Sequence, residues 1–172
     1  TDPKEAYQNK KVIFIGVGTP EGKDGSVNLD YINNVCEEIK QEVTNDTIVV
    51  LKSTVPIGTN QKVEERLNQN NKKLNIKVVS NPEFLSQGTA IHDTLYATRI
   101  IIGSEDLEAK KVMRNLYQPL LTSPYHVPYL EMDRVSAEMV KYASNNFLAL
   151  KISYINEIAN FCEKIGADIR NV

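Results

Sequence analysis

The sequence predicts an α/β fold: a parallel β-sheet covered by helices, followed by one long helix. Short β-branched apolar runs alternate with segments whose apolar residues recur at helical spacing, which is the order expected of a parallel sheet. No proline or glycine interrupts residues 133–165, and at about 1.5 Å per residue they predict one helix of about 50 Å. That length exceeds the width of a domain of this size, so we expect the helix to begin a second domain.

Four apolar runs have the composition of strands buried on both faces, because their apolar residues are consecutive and not alternating. These predicted strands cover residues 11–18, 46–54, 75–80 and 98–104. A further extended stretch, YHVPYL, is predicted at residues 125–130. We expect the chain before residue 11 to lead into the first strand without an element of its own.

Helical spacing of apolar residues predicts three shorter helices, at residues 28–43, 59–68 and 107–120. Asn28 is the expected N-cap of the first, since an asparagine side chain can accept a hydrogen bond from the first turn. Asp133 is expected to cap the long helix, and Gly166 stands where a terminating glycine belongs. The pattern changes near residue 130, which predicts one domain at 1–130 and a second at 131–172.

The second half of the long helix is apolar on several sides. Its apolar residues are Phe147, Leu148, Leu150, Ile152, Ile155, Ile158, Phe161, Cys162 and Ile165. A helix that is apolar all round is normally buried. We therefore expect another domain or a second copy of the chain to cover it.

The bulk composition excludes several classes of protein. The 172 residues carry a net charge of −2 with acids and bases mixed along the chain, so no basic face indicates a nucleic-acid partner. No apolar run approaches the about 20 residues of a membrane span. Cys36 and Cys162 cannot form a disulfide framework and indicate a reduced, cytoplasmic protein. His92 and His126 are isolated in sequence, so we expect no metal site.

Three predicted strands end in turns that contain proline: GVGTP at residues 16–20, KSTVP at 52–56 and SNPEFL at 80–85. Ligands of open α/β sheets bind outside the carboxyl ends of the strands. Glu83 is therefore expected to point into a crevice at this edge. Each turn alone has a plainer interpretation: an ordinary tight turn, a hydroxyl that caps a strand end at Thr54, or a solvated acid at Glu83.

The long helix adds Lys141 and Asn145, which are four residues apart and share a helical face. On an ordinary amphipathic helix they would be solvated. Their apolar surroundings favour a partly buried pair of donors, which suits a developing oxyanion.

Together these stretches resemble the nucleotide-sugar 6-dehydrogenases, the UDP-glucose/GDP-mannose dehydrogenase family. The resemblance covers almost the whole chain and rests on VGTP, KSTVPIGT, SNPEFLSQGTAIHD, RIIIG and SAEMVKYASNNFLALKISYINEIANFCEKIGADI. Arg99 and the NPEFL stretch resemble the UDP-glucose branch most. The resemblance implies the second half of a doubly wound Rossmann-like sheet, followed by the long central helix of a dimerisation domain that forms a homodimer.

The resemblance implies that the substrate is UDP-glucose and that two NAD oxidise its C6 alcohol to a carboxylate. The implied cofactor contacts are Val17, Gly18, Thr19, Pro20, Ser53, Thr54, Val55 and Gln87. The implied substrate contacts are Glu83, Phe84, Leu85, Lys141 and Asn145. Among these, Glu83 is the expected general base and Thr54 holds its water, while Lys141 and Asn145 steady oxyanions.

Two departures from the family pattern bear on activity. Gln87 stands where the family usually has a glutamate, so we expect a cofactor contact there without a charge. The glycine-rich NAD turn and the nucleophilic cysteine are expected outside the chain, because Cys36 and Cys162 lie at apolar helix positions. The chain by itself is therefore expected to be inactive. Other nucleotide sugars, GDP-mannose or UDP-N-acetylmannosamine, and a non-catalytic α/β dimerisation scaffold remain as alternatives.

Overall fold

The structure is a computed structural model that describes residues 2–69, 73–122 and 124–172. The chain divides into two compact units, Thr1–Met139 and Val140–Val172. The long helix crosses this division, and the two-domain boundary predicted at residue 130 stays a prediction. Within the described ranges, none of the helices is both long and apolar enough to cross a membrane.

The first unit alternates strands and helices along the chain. Its elements are α1 (Pro3–Tyr7), β1 (Val12–Ile15), α2 (Asp30–Glu42), β2 (Thr47–Leu51), α3 (Thr59–Asn68), β3 (Ile76–Ser80), α4 (Ala90–Leu95), β4 (Ile100–Gly103), α5 (Leu107–Leu121), β5 (Tyr129–Met132) and the start of α6 (Arg134–Ile165). The α/β fold class is thus confirmed.

The sheet has the order β1-β2-β3-β4-β5. The pairs β1–β2, β2–β3 and β4–β5 are parallel. The prediction of a fully parallel sheet is wrong at β4, which meets β3 antiparallel at the pair Ser80↔Gly103. If β4 were parallel to β3, the connecting chain would have to return to the opposite end of β3 before β4 began. An antiparallel β4 can begin at the end where β3 stops. Residues 81–99, which join β3 to β4, therefore stay at the carboxyl edge of β3.

Both faces of the sheet are covered at β2, β3 and β4, as the consecutive apolar residues predict. The same prediction is wrong for β1, where Phe14 is 42% exposed because β1 lies at the end of the strand order with β2 as its neighbour. On one face, Val49 and Leu51 pack in a buried cluster with residues of α2 and α3. On the other face, Val50 packs in a second cluster with Ala109 and Met113 of α5. Successive strand residues point to opposite faces, so Val49 and Leu51 meet the helices of one face and Val50 meets the helix of the other.

Element ends differ from the predictions where side chains make local hydrogen bonds. The strands β1 and β2 stop three residues early, and α1 and α4 were not predicted. Asn28 is not the N-cap: the helix α2 begins at Asp30 after Leu29, and the Asn28 Oδ1 accepts the Asp30 N–H at 2.7 Å. The predicted ends of α6 are confirmed, since Asp133 Oδ1 accepts the Ser136 N–H at 2.8 Å and Gly166 has a φ of 74°.

The second unit consists of the larger part of α6 and a 3₁₀ turn, Ile169–Asn171. The Ala167 N–H donates to the Cys162 carbonyl at 2.9 Å and closes the end of the helix. Most of the apolar residues predicted to need cover are exposed in the single chain. The exposed members are Phe147, Leu148, Leu150, Ile152, Ile155, Phe161 and Ile165.

The first turns of α6 pack closely against the end of β4, within the first unit. A Cβ placed on Gly103 would collide with the Ala137 Cβ and would lie 3.0 Å from both the Arg134 Cα and the Asp133 carbonyl oxygen. Backbone atoms of this kind cannot move aside cheaply. Gly103 is therefore required for its small size, which permits this contact.

We predict that Gly103→Ala lowers the free energy of unfolding by about 2 kcal/mol, the usual cost of overpacking a close contact. Urea denaturation of the protein that carries this chain measures the change. Gly16→Ala is the matched control, because nothing lies within 4 Å of a Cβ at that position. Equal midpoints for the two variants would contradict the packing argument.

Burial predicts that Cys36 is chemically inert. Its side chain is 0% exposed, and burial raises the pKa of the thiol to about 11. Only about one thousandth of such a thiol is ionised at pH 8, and the thiolate is the reactive form. Iodoacetamide at pH 8 should leave Cys36 unmodified in the native protein and alkylate it in urea, as peptide mass spectrometry would report. Rapid native alkylation would contradict this.

Candidate functional site

The strands β1, β2 and β3 end at one edge of the sheet. Ile15 pairs with Leu51, and Leu51 pairs with Ser80, so the three final residues lie side by side. The backbone continues the pairing one step further: the Lys52 N–H donates to the Ile15 carbonyl and the Asn81 N–H to the Leu51 carbonyl, both at 2.9 Å. The three loops that follow therefore begin at neighbouring points.

Two of these loops are joined by side-chain hydrogen bonds. The Thr19 Oγ1 donates to the Thr54 carbonyl at 2.9 Å, and the Ser53 Oγ donates to the Val17 carbonyl at 2.6 Å. These four predicted cofactor contacts thus lie together. Val55 is different, because its side chain is 5% exposed and belongs to the buried core.

Open space lies over the first loop. Gly18 and Pro20 are exposed, and nothing lies within 4 Å of a Cβ built on Gly18. A planar ligand could approach the backbone closely at this point, which is one role of glycine in such loops.

The third loop lines a small cavity of about 70 Å³. Glu83, Phe84 and Leu85 line it together with Lys52 and Arg99. The Arg99 guanidinium lies 4.2 Å from the centroid of the Phe84 ring, a cation–π arrangement that orients both groups. Asp93 also lines the cavity, so two carboxylates and two cationic side chains share it at the carboxyl edge.

Glu83 is oriented by its own loop. It is partly buried, and its Oε2 accepts the Leu85 N–H at 2.6 Å. Such a bond fixes one face of the carboxylate, as in an Asx-type turn. The plainer alternative for Glu83, an acid in the first turn of a short helix, does not hold, because α4 begins only at Ala90.

Sequence reasoning missed Asn81, which fastens this loop to the rest of the unit. Its side chain is 2% exposed. The Asn81 Nδ2 donates to the Ile101 carbonyl at 2.9 Å, and its Oδ1 accepts from the Tyr117 hydroxyl at 2.5 Å. Burial raises the pKa of Tyr117 to about 12, so its hydroxyl stays a donor. The signal was an asparagine directly after a buried strand, where an unpaired amide would be costly.

Gln87 lies on the surface beyond the cavity. Its neighbours are held by Asp93 of α4, whose Oδ2 accepts from the Ser86 N–H and the Thr89 hydroxyl, each at 2.8 Å. The backbone hydrogen bond from Ser86 is the main cause that lowers the pKa of Asp93. A contact between Gln87 and a cofactor stays a prediction.

Lys141 and Asn145 lie in the second unit, one turn apart on α6. Lys141 is buried and Asn145 is exposed. Their placement beside Glu83 stays a prediction. Among the residues that the structure describes, no three His, Cys, Asp or Glu side chains are grouped as a metal site would need.

Family models match most of this chain. Residues 1–121 match the model of the UDP-glucose/GDP-mannose dehydrogenase family, NAD binding domain, and residues 135–172 match the central domain of the same family. NAD is also the cofactor that the resemblance implied.

Similar curated proteins include two UDP-glucose 6-dehydrogenases. The chain is 47% identical over 173 aligned positions to YwqF of Bacillus subtilis (strain 168), covering 100% of this chain and 38% of that protein. It is 44% identical to the enzyme of Pseudomonas aeruginosa, covering 98% of this chain and 38% of that protein. The chain thus spans about 38% of the length of these relatives.

Solved structures give the same result. A UDP-glucose dehydrogenase from Pyrobaculum islandicum has a TM-score of 0.88 at 36% identity, over 98% of this chain and 39% of that one. A GDP-mannose dehydrogenase from Pseudomonas aeruginosa has a TM-score of 0.89 at 32% identity, over 99% of this chain and 39% of that one. The match of the NAD binding domain to residues 1–121 covers more than half of the chain, and the chain therefore belongs to the UDP-glucose/GDP-mannose dehydrogenase family.

Proposed function

We propose that the protein carrying this chain oxidises the C6 alcohol of UDP-glucose to the carboxylate of UDP-glucuronate in two NAD-linked steps. The observation that carries the proposal is the carboxyl edge of β1–β3, where the joined loops at Thr19 and Thr54 lie beside the loop of Glu83. This edge belongs to the part of the chain that matches the NAD binding domain. UDP-glucose is favoured because the similar curated enzymes act on it by name.

The reaction balances with one water and two molecules of NAD. One alcohol, one water and two NAD⁺ give one carboxylate, two NADH and three protons. When bound, NAD accepts a hydride from the sugar carbon in each step. We propose that the second oxidation leaves the sugar as a thioester on a cysteine outside residues 1–172, which water then hydrolyses.

Cofactor binding is assigned to the first two loops. The contacts are Val17, Gly18, Thr19, Pro20, Ser53, Thr54, the backbone of Val55, whose side chain is in the core, and, from the third loop, Gln87. Since the Thr19 and Ser53 hydroxyls already donate across the loops, their role is to shape the surface. The open backbone at Gly18 then offers the place of closest approach.

Glu83 is assigned as the general base for hydrolysis, with Thr54 holding the water. Glu83 is partly buried and its carboxylate is held by the Leu85 N–H. Both features suit a general base, which must lie within hydrogen-bond distance of the proton that it abstracts. Phe84 and Leu85 line the same cavity and are assigned to the substrate. Lys141 and Asn145 are assigned as donors to the oxyanions, because a buried ammonium such as that of Lys141 stabilises negative charge strongly.

Purified protein should produce two NADH per UDP-glucose consumed, followed at 340 nm, with GDP-mannose and UDP-N-acetylmannosamine assayed in parallel. Glu83→Gln keeps the size of the side chain but removes the base. We expect a loss of turnover of about 100-fold or more, the usual contribution of a general base, and a covalent adduct visible by intact-mass spectrometry.

Glu5→Gln is the matched control, since Glu5 is an exposed acid in α1. Normal turnover of Glu83→Gln without an adduct would remove Glu83 from the mechanism. Faster turnover of another sugar would change the substrate. No NADH from any of the three sugars would favour the non-catalytic scaffold.

We further propose a homodimer that buries the exposed apolar residues of α6. Leu148, Ile152 and Ile155 recur at helical spacing and form one stripe, while Leu150 points to a different side. Exposure on several sides is typical of a helix that a partner covers.

The two unpaired cysteines suit a reducing compartment, so we place the enzyme in the cytoplasm.

The dimer predicts a molar mass by light scattering of twice the chain mass or a higher multiple. Ile152→Glu puts a charge into the stripe and should shift the mass towards the monomer, since burying an unpaired charge is costly. Asn115→Glu adds the same charge at an exposed position of α5 and should leave the mass unchanged. A monomer in the unmodified protein, at all concentrations, would overturn the proposal.

A further inference from the structure

The helix α3 is capped by a carboxylate from a distant part of the chain. Its N-cap residue is Gly58, in the left-handed region at φ 86°, and a glycine offers no capping side chain. The Glu138 Oε2 accepts the Gly58 N–H at 2.6 Å, and the Oε1 accepts the Asn60 N–H at 2.9 Å and the Asn60 Nδ2 at 2.7 Å. Three donors at the start of α3 therefore share one carboxylate.

These contacts are strong for two reasons. The first N–H groups of a helix have no partner within it, and the helix dipole favours negative charge at that end. Glu138 and Asn60 are also 3% and 1% exposed, so water does not compete for the hydrogen bonds. A buried carboxylate without such partners would be costly, and the position of Glu138 and that of α3 therefore fix each other.

The turn of α6 that carries Glu138 is itself held by contacts with neighbouring elements. Four residues earlier, Arg134 pairs with Glu64 of α3 at 3.1 Å and with Glu105 after β4. Ala137 lies against Gly103 of β4. The first turns of α6 are thus fastened to α3 and β4 within the first unit. The Glu138 carboxylate therefore has a fixed position relative to α3.

The capped end of α3 leads directly to the proposed site. Residues 53–57 form the loop that contains Thr54 and leads to Gly58. The Thr59 hydroxyl donates to the Pro56 carbonyl in this loop at 2.6 Å. At its other end this loop accepts the hydrogen bond from Thr19 at the Thr54 carbonyl. The hydrogen bond from Thr19 thus holds the start of the loop at Thr54, and Glu138 holds its end at Gly58.

We propose that Glu138 is a positioning residue for the cofactor loop: through Gly58 and Asn60 it sets the place of residues 53–57 at the carboxyl edge. The inference rests on the proposed function, because it assigns this loop to NAD. Glu138 touches no reacting atom in this account. A merely stabilising role would change how much protein is folded, whereas a positioning role changes how the folded protein binds NAD.

Glu138→Gln tests the difference. The glutamine has the same size but replaces one acceptor oxygen with an amide group that would face an N–H donor. We expect the KM for NAD, measured at saturating UDP-glucose, to rise by about fivefold or more, with a change of less than about twofold in the KM for UDP-glucose. Glu138→Asp keeps both oxygens and should recover part of the loss.

Asn60→Ala is a milder variant that should fold. Of the three donors to Glu138 it removes one, the Asn60 Nδ2. The Oδ1 that is lost with it is buried and finds no hydrogen-bond partner among the described residues. The KM for NAD should rise in the same direction by a smaller factor. Glu65→Gln is the control, since Glu65 is an acid of α3 whose Oε1 accepts from Gln61 on an exposed face.

The outcomes separate this inference from the proposed function. An active protein in which Glu138→Gln and Asn60→Ala leave the KM for NAD unchanged overturns the positioning role alone, even if less protein is folded. A rise in that KM in both variants, with Glu65→Gln at the wild-type value, supports the role. An unmodified protein that reduces no NAD with any nucleotide sugar overturns the proposed function and this inference with it.

Discussion

The in-register ending of three parallel strands is the constraint on which the site depends. Ile15, Leu51 and Ser80 lie side by side, so the residues after them emerge at neighbouring points. If the pairing slipped by one residue, Val49 and Val50 would each move to the cluster on the opposite face, whose close packing fits other side chains. The core therefore determines which loop residues meet at this edge.

The reversal at β4 adds a second constraint at the same edge. Because β4 runs antiparallel to β3, the connection between them does not cross the sheet. Glu83, shortly after the end of β3, and Arg99, directly before the start of β4, therefore lie at the same edge. The stacking of the Arg99 guanidinium on Phe84 follows from this topology. The side chain of Asn81 fastens the start of the loop through hydrogen bonds with the Ile101 carbonyl and the Tyr117 hydroxyl. The Glu83 carboxylate itself accepts the Leu85 N–H within the same loop.

Buried charges carry much of the remaining order in the first unit. Glu138 at the start of α3 is expensive to bury and depends on its three hydrogen-bond donors. Arg134, which is partly buried, forms ion pairs with Glu64 and Glu105. Such pairs contribute less to stability than to a single arrangement of the elements they join. In this chain they join the first turns of α6 to the helix that follows the Thr54 loop, so the same contacts serve both folding and the proposed chemistry.

The sequence by itself determined the alternation of strands and helices, the long helix with its cap at Asp133 and its end at Gly166, and the family, because these depend on local periodicity and on motifs read in order. It also located the three loops that meet at the sheet edge. Only the tertiary structure decided the direction of β4, the burial of Asn81, and the cap that Glu138 provides 78 residues from Asn60. Those features depend on hydrogen bonds between residues far apart in the chain, and periodicity carries no information about such partners.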